Sequence, residues 1–320
     1  MSAPPPLTRR IEVGEPLPGQ GALSIAADIF MPARLRAKPA VLFCLPGGGM
    51  NRAYFNLQGA GGFSFAEHLT AHGFIVVTLD HLGVGDSSAP ADGHALTPDV
   101  LTAANATAME AIRRELMAGA LTGRALASLP SIGVGHSMGA MLTAMQQASS
   151  PAHAALALFG FSNAGLVPAL SAEEKRFCGD PAGLRENLVR LARLRDPNPY
   201  PQVRRSAQGT ELFAGATADP RGVEALKVAR SSLLLTAGVF SMVPGSCGPE
   251  CARITAPVFL ALGDRDMAGP PHLIPANYPA SPDVTLQVLP ATGHAHFLFP
   301  GRQALFERVT GWCEAMLRES

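Results

Sequence analysis

The 320-residue chain has no excess of either charge, with 25 lysines and arginines against 25 aspartates and glutamates. A surface without a net positive field attracts neither the phosphates of a nucleic acid nor an anionic lipid face, so neither is expected as a partner. Charge is also sparse, at 16% of residues, where an average soluble chain has about 25%. Lysine occurs only at positions 38, 175 and 227. No uncharged apolar stretch approaches the roughly 18 residues of a membrane-spanning helix. The longest apolar region, 154–170, is interrupted by Ser162, Asn163 and Pro168. The first ten residues lack the apolar core of an export signal, so a cytoplasmic location is expected.

Cysteine is scarce and odd in number: 44, 178, 247, 251 and 313. A chain of this length can bury a core without staples. Cys247 and Cys251 have a spacing open to a bridge or half a zinc site. No second pair at ligand spacing exists, so no metal is expected and the two read as loop cysteines or a minor bridge. Asn105-Ala106-Thr107 fits a glycosylation sequon, which has no use in a chain without an export signal. The absence of any Gly-Lys dipeptide removes the lysine-bearing phosphate loop. Gly83-Val84-Gly85-Asp86-Ser87-Ser88 breaks the dinucleotide fingerprint, because serine stands where its third glycine belongs. No cofactor is therefore expected.

What remains is an alternation of short apolar runs with helical patterns, the signature of a mostly parallel sheet flanked by helices. Strands are expected over 23–31, 39–45, 74–80, 131–135, 154–161, 258–262 and 285–289, and helices over 63–73, 97–129, 137–149 and 303–317. From about 163 to 254 the pattern is helical only. Asp180-Pro181 and Asp219-Pro220 are helix starts, Ser171 to Glu174 fits a capping box, and Leu184, Leu188, Leu191 and Leu194 recur at helical spacing. The expected organisation is an α/β core in two parts, 1–162 and 255–320, with a helical cap at 163–254.

The strongest local signal is Gly135-His136-Ser137-Met138-Gly139 between an expected strand and an expected helix. A sharp strand-to-helix turn strains its central residue and crowds the flanking glycines, lifting the Ser137 hydroxyl clear and turning the Met138 N–H toward the same point. A serine hydroxyl needs a base. Of nine histidines, His294 in Thr292-Gly293-His294 lies just past the last strand and is preferred to His296. The imidazole needs a carboxylate to set its tautomer. Gly263-Asp264-Arg265-Asp266 ends a strand at the same edge, and Asp266 is preferred to Asp264. The alternative, after residue 161, offers only Ser162 and Asn163. Pro46-Gly47-Gly48-Gly49 follows an early strand, where Gly48, then Gly49, can join Met138 as oxyanion donors. His136 packs beside the serine and, with Phe240 and Met242 from the apolar segment 233–243, is a candidate substrate contact.

The chain order Ser137, Asp266, His294, with the serine at a strand–turn–helix, resembles the α/β-hydrolase superfamily. The likeness spans nearly the whole sequence, taking in Pro46 to Gly49, Asp80 to Ser88, Gly135 to Gly139, Gly263 to Asp266 and Gly293-His294. It departs in carrying Pro46 where the family commonly has a histidine that helps position the oxyanion loop. Relatives that act on halides or epoxides have aspartate at the elbow, where this chain has Ser137. The resemblance implies an α/β-hydrolase fold with a helical cap. The serine, its base and the oxyanion loop point to ester hydrolysis through an acyl-enzyme without a cofactor. The apolar segment 233–243 points to an uncharged, apolar acyl or alcohol group, core packing being the alternative for its side chains. The same triad also serves carbon–carbon, thioester, lactone and amide cleavage, and a non-catalytic binder of small molecules could retain the fold.

Overall fold

A computed structural model describes residues 5–203 and 207–318; residues 1–4, in the segment that lacks the apolar core of an export signal, 204–206, inside the expected cap, and 319–320, at the end of the expected second core part, lie outside the described residues. Eight strands form one sheet: β1 (Leu7–Glu12), β2 (Ser24–Phe30), β3 (Val41–Leu45), β4 (Ile75–Leu79), β5 (Ser131–His136), β6 (Ala155–Phe159), β7 (Val258–Gly263) and β8 (Val284–Leu289). Their order is β1-β2-β4-β3-β5-β6-β7-β8, with β2 antiparallel to both neighbours and the pairs from β4 onward parallel. Every residue of β3 to β7 is buried, the pattern of strands covered on both faces. Val41, Phe43 and Leu45 join one apolar cluster and Leu42 and Cys44 the other, as the two-residue period of a strand requires. The sequence reading missed β1, an edge strand in which only Ile11 is buried and no apolar alternation is visible.

Helices α1 (Phe65–Ala71), α2 (Pro98–Ala118) and α3 (Met138–Ser149) belong to the first part of the core. Helix α2 was expected to run to residue 129 but stops at Gly119, whose φ of 90° takes the chain out of the helix. Between β6 and β7 the chain forms α4 (Ala172–Lys175), α5 (Pro181–Arg195), α6 (Ala207–Ala214), α7 (Pro220–Ala225), α8 (Leu235–Met242) and α9 (Gly248–Cys251), with no strand among the described residues of this segment. Asp180 and Asp219 cap α5 and α7 ahead of their prolines, and Ser171 and Glu174 form the capping box of α4. On α5, Leu184, Leu188 and Leu191 are buried, whereas Leu194 is 65% exposed in the last turn. Helix α10 (Arg302–Met316) closes the chain against α1 and the β6–β7 face. No helix among the described residues is long and apolar enough to cross a membrane.

The parallel strands all end at one edge of the sheet. There β3 leads into Pro46, β5 into Ser137, β6 into Gly160 and β7 into Asp264. Side chains far apart in sequence therefore meet in the crevice beyond the strand ends, where ligands of open α/β sheets bind.

Candidate active site

Ser137 sits at φ 56° and ψ −122°, between the last residue of β5 and the first of α3. Its N–H donates to the Phe159 carbonyl at 2.7 Å, tying the turn to the end of β6. A side chain at Gly139 would collide with the Leu45 carbonyl, and one at Gly135 with the Ala140 backbone, so both glycines are required by close approach. A non-glycine residue in this region is strained and persists only because its surroundings enforce it.

The Pro46–Gly49 loop lies beside this turn. A Cβ on Gly47 would stand 3.0 Å from the Ser137 Cβ, and one on Gly48 would stand 3.7 Å from the Met138 Sδ. Gly49, at φ 74°, faces the inserted segment instead, and its carbonyl accepts from the Ser231 N–H at 2.9 Å. Neither the Gly48 nor the Met138 N–H has an acceptor among the described residues. The loop carries no histidine at position 46, but one holds it from outside. Fully buried His81, just past β4, donates Nε2–H to the Pro46 carbonyl at 3.0 Å, and its Nδ1 accepts from the Asn105 amide of α2 at 3.1 Å. A carbonyl only accepts, so this geometry sets the His81 tautomer. Burial pushes the His81 imidazole below its ordinary value, which keeps it neutral.

His294 and Asp266 meet under the same edge. The His294 Nδ1 lies 2.7 Å from Asp266 Oδ1, and the Ala268 N–H donates to that oxygen at 2.9 Å. The His296 Nε2 lies 2.7 Å from the other oxygen, Oδ2. Burial by itself would push the Asp266 carboxyl up; the charges and hydrogen bonds of His294 and His296 outweigh it and hold it well below the usual carboxylate range. Asp264 points elsewhere, accepting from the N–H groups of Ala291 at 3.0 Å and Thr292 at 3.1 Å. It thereby clamps the loop that carries His294. Ser162 donates to the Ala268 carbonyl and makes no contact with His294 among the described residues.

The serine and the histidine are neighbours across the end of β6. Gly160 follows the residue that accepts from Ser137, and a Cβ on it would stand 3.0 Å from the His294 Cε1. Among the described residues the Ser137 hydroxyl makes no hydrogen bond; such contacts commonly tighten only when substrate binds.

Of the candidate substrate contacts, two are placed away from any open surface. His136 is fully buried, donates Nε2–H to the His294 carbonyl at 2.8 Å and packs on the rings of Tyr54 and His294. Phe240 is also fully buried, with the Arg185 guanidinium 4.8 Å from its ring centre. Both pack inward, His136 at the end of the doubly covered strand β5 and Phe240 on the apolar face of the short helix α8. Met242 is half-buried, and its carbonyl accepts from Leu166 at 2.7 Å. A cavity of about 250 Å³ opens instead beside Gly49, walled by Val203, Phe213, Ala214, Val223 and Leu226, with Gln202, Thr210, Arg230 and Ser231 as its polar lining. The Phe213 ring centre is 5.8 Å from that of His294, so the cavity adjoins that imidazole. Its lining comes from three loops, two short helices and the turn after α7, and no sequence periodicity marks it. Cys247 and Cys251 are buried free thiols with their sulfurs 3.9 Å apart.

The alpha/beta hydrolase family model matches residues 41–304. The chain belongs to that family. No curated protein matches the sequence. Among solved structures, the hydrolase fold is shared with a highly thermostable carboxyl esterase from Bacillus coagulans, at TM-score 0.66 and 15% identity over 97% of this chain and 98% of that one. It is shared too with a proline iminopeptidase from Mycobacterium smegmatis, at TM-score 0.60 and 19% identity over 98% and 100%. A bromoperoxidase from Bacillus anthracis gives TM-score 0.61 and 14% identity over 98% and 100%. At such identities the likeness is one of fold.

Proposed function

We propose that this hydrolase-family chain cleaves a carboxylic ester of a small molecule through an acyl-enzyme. The observation that carries the reading is the strained Ser137, seated at the end of β5 beside a buried, hydrogen-bonded His294–Asp266 pair. His294 takes the hydroxyl proton as Ser137 Oγ attacks the ester carbonyl, and the imidazolium that forms is stabilised by the ionised Asp266. The N–H groups of Met138 and Gly48 receive the developing oxyanion, with Gly49 the further candidate donor. His294 returns the proton to the leaving alcohol, and water repeats the sequence to release the acid. Atoms and charge balance without a cofactor.

In the same reading, residues 163–254 act as a cap on a core made of 1–162 and 255–320. The mostly apolar cavity beside Gly49 takes an uncharged acyl or alcohol group. At about 250 Å³ it is small for a ligand site, and short chains are favoured. The cytoplasm is the expected compartment. Purified protein is expected to hydrolyse a short-chain aryl ester, and Ser137→Ala to abolish turnover; activity retained in that variant would remove Ser137 as nucleophile. Thioester, lactone, amide and diketone substrates in the same assay identify the bond that is cleaved.

A further inference from the structure

His294 and His296 are two positions apart, yet their rings reach opposite oxygens of one carboxylate. The turn between them makes this possible, because the His294 carbonyl accepts from the His296 N–H at 3.0 Å and from the His136 ring at 2.8 Å. His296 is fully buried, with its Nε2 2.7 Å from Asp266 Oδ2. Its other nitrogen, Nδ1, has no hydrogen-bond partner among the described residues. Acyl transfer by Ser137 needs only one imidazole, so the second requires its own account.

We propose that His296 is a positioning residue, whose Nε2–H holds Asp266 Oδ2 so that Oδ1 stays aligned on His294. The inference rests on the proposed roles of Ser137, His294 and Asp266. A carboxylate turns readily about its last torsion, a broad, roughly two-fold rotor. Contacts at Oδ1 alone, from His294 and the Ala268 N–H, would oppose that rotation at one oxygen only and leave the other, a buried charged oxygen, without a donor. The Nε2–H of His296 meets both needs. An ionised carboxylate only accepts, so the proton on this contact belongs to the ring nitrogen. His296 thus faces Asp266 as a donor through its Nε2–H. Simple packing accounts less well for the residue: Phe297 and Leu298, next in the same turn, fill fully buried space with no polar atom to satisfy.

Three forms of the full chain test this on a short aryl ester: wild type, His296→Gln and His296→Leu. Active sites are counted by fluorophosphonate labelling, so that misfolded protein does not enter the rate. Glutamine can bring an N–H near the position of Nε2, and leucine cannot. His296→Leu is expected to lower kcat per labelled site about tenfold to a hundredfold, the usual cost of losing a partner that orients a functional side chain. KM should stay within about twofold, and His296→Gln should recover most of the loss. Unchanged kcat in His296→Leu, or glutamine as impaired as leucine, would overturn the proposal while leaving Ser137 and His294 in their roles. Turnover that survives Ser137→Ala would instead remove the reading on which it rests. A third measurement needs no substitution: nitrogen-15 NMR of wild-type protein labelled at histidine should show His296 protonated at Nε2, and an Nε2 without a proton would overturn the proposal even if the leucine variant does not fold.

Discussion

Ser137 and Ala291 are the non-glycine residues with positive φ among the described residues, at 56° and 50°. They flank the same site, one carrying the hydroxyl and the other opening the loop that brings His294. Each is held by a hydrogen bond from its own N–H, Ser137 to the Phe159 carbonyl and Ala291 to the Asp264 carboxylate. Strain at both points is sustained by the surrounding sheet edge. Asp266 has a measurable consequence at this scale. Its carboxyl is held well below the usual range in the fold and returns to about 3.9 in the unfolded chain. The folded state therefore holds this proton less tightly than the unfolded state. The stability that Asp266 contributes is complete above about pH 3.9 and is lost as the pH falls through the folded value. Asp266→Asn is expected to flatten the acid end of the stability curve, read by denaturant unfolding from pH 7 downward; an acid limb equal to wild type would show that the group is not shifted. The same variant should lose on the order of 10⁴ in kcat, because the amide disturbs the His294 tautomer.

The Pro46–Gly49 loop is an element whose position is set by its neighbours. Its own hydrogen bond, Met50 N–H to the Gly47 carbonyl at 3.2 Å, closes the turn but does not orient it on Ser137. His81 ties the loop down from just past β4, backed by Asn105 on α2. His81→Leu is expected to lower kcat on the order of tenfold with KM little changed, less than the 10²–10³ lost when an oxyanion donor is deleted outright. A wild-type kcat in that variant would mean that the turn and the packing of Gly47 suffice. Element boundaries were legible where a stereochemical signal ends them: Asp180-Pro181 and the Ser171–Glu174 box start helices as their sequence reads. Gly119 gives no such signal, because a lone glycine in a helical pattern stops the helix only if the chain must turn there, and the need to return to β5 is a tertiary demand.

At the scale of the whole molecule, the sheet collects Ser137, Asp266 and His294 from β5, the end of β7 and the loop after β8. The inserted helices meet the site through Ser231 on Gly49 and Phe213 beside His294. If the adjoining cavity takes the acyl chain, Val223→Phe should reduce turnover of a hexanoyl ester and spare the acetyl ester, measured as the ratio of their kcat/KM values. Equal loss on both esters would put the acyl chain elsewhere.

The sequence alone determined the sheet's buried strands, the helical insertion and the elbow at Ser137. Each is written in local terms: an apolar run, a capping pair, two glycines around a turn. It also put His294 and Asp266 at the right edge, since the ends of parallel strands share one side of a sheet. Only the tertiary structure decided that Phe240 and His136 pack inward, that His81 holds the loop where Pro46 stands, and that one carboxylate serves two histidines. Those outcomes depend on which side chains from distant strands arrive at the same point. Periodicity reports which way a residue faces along its own element and carries no information about what comes to meet it.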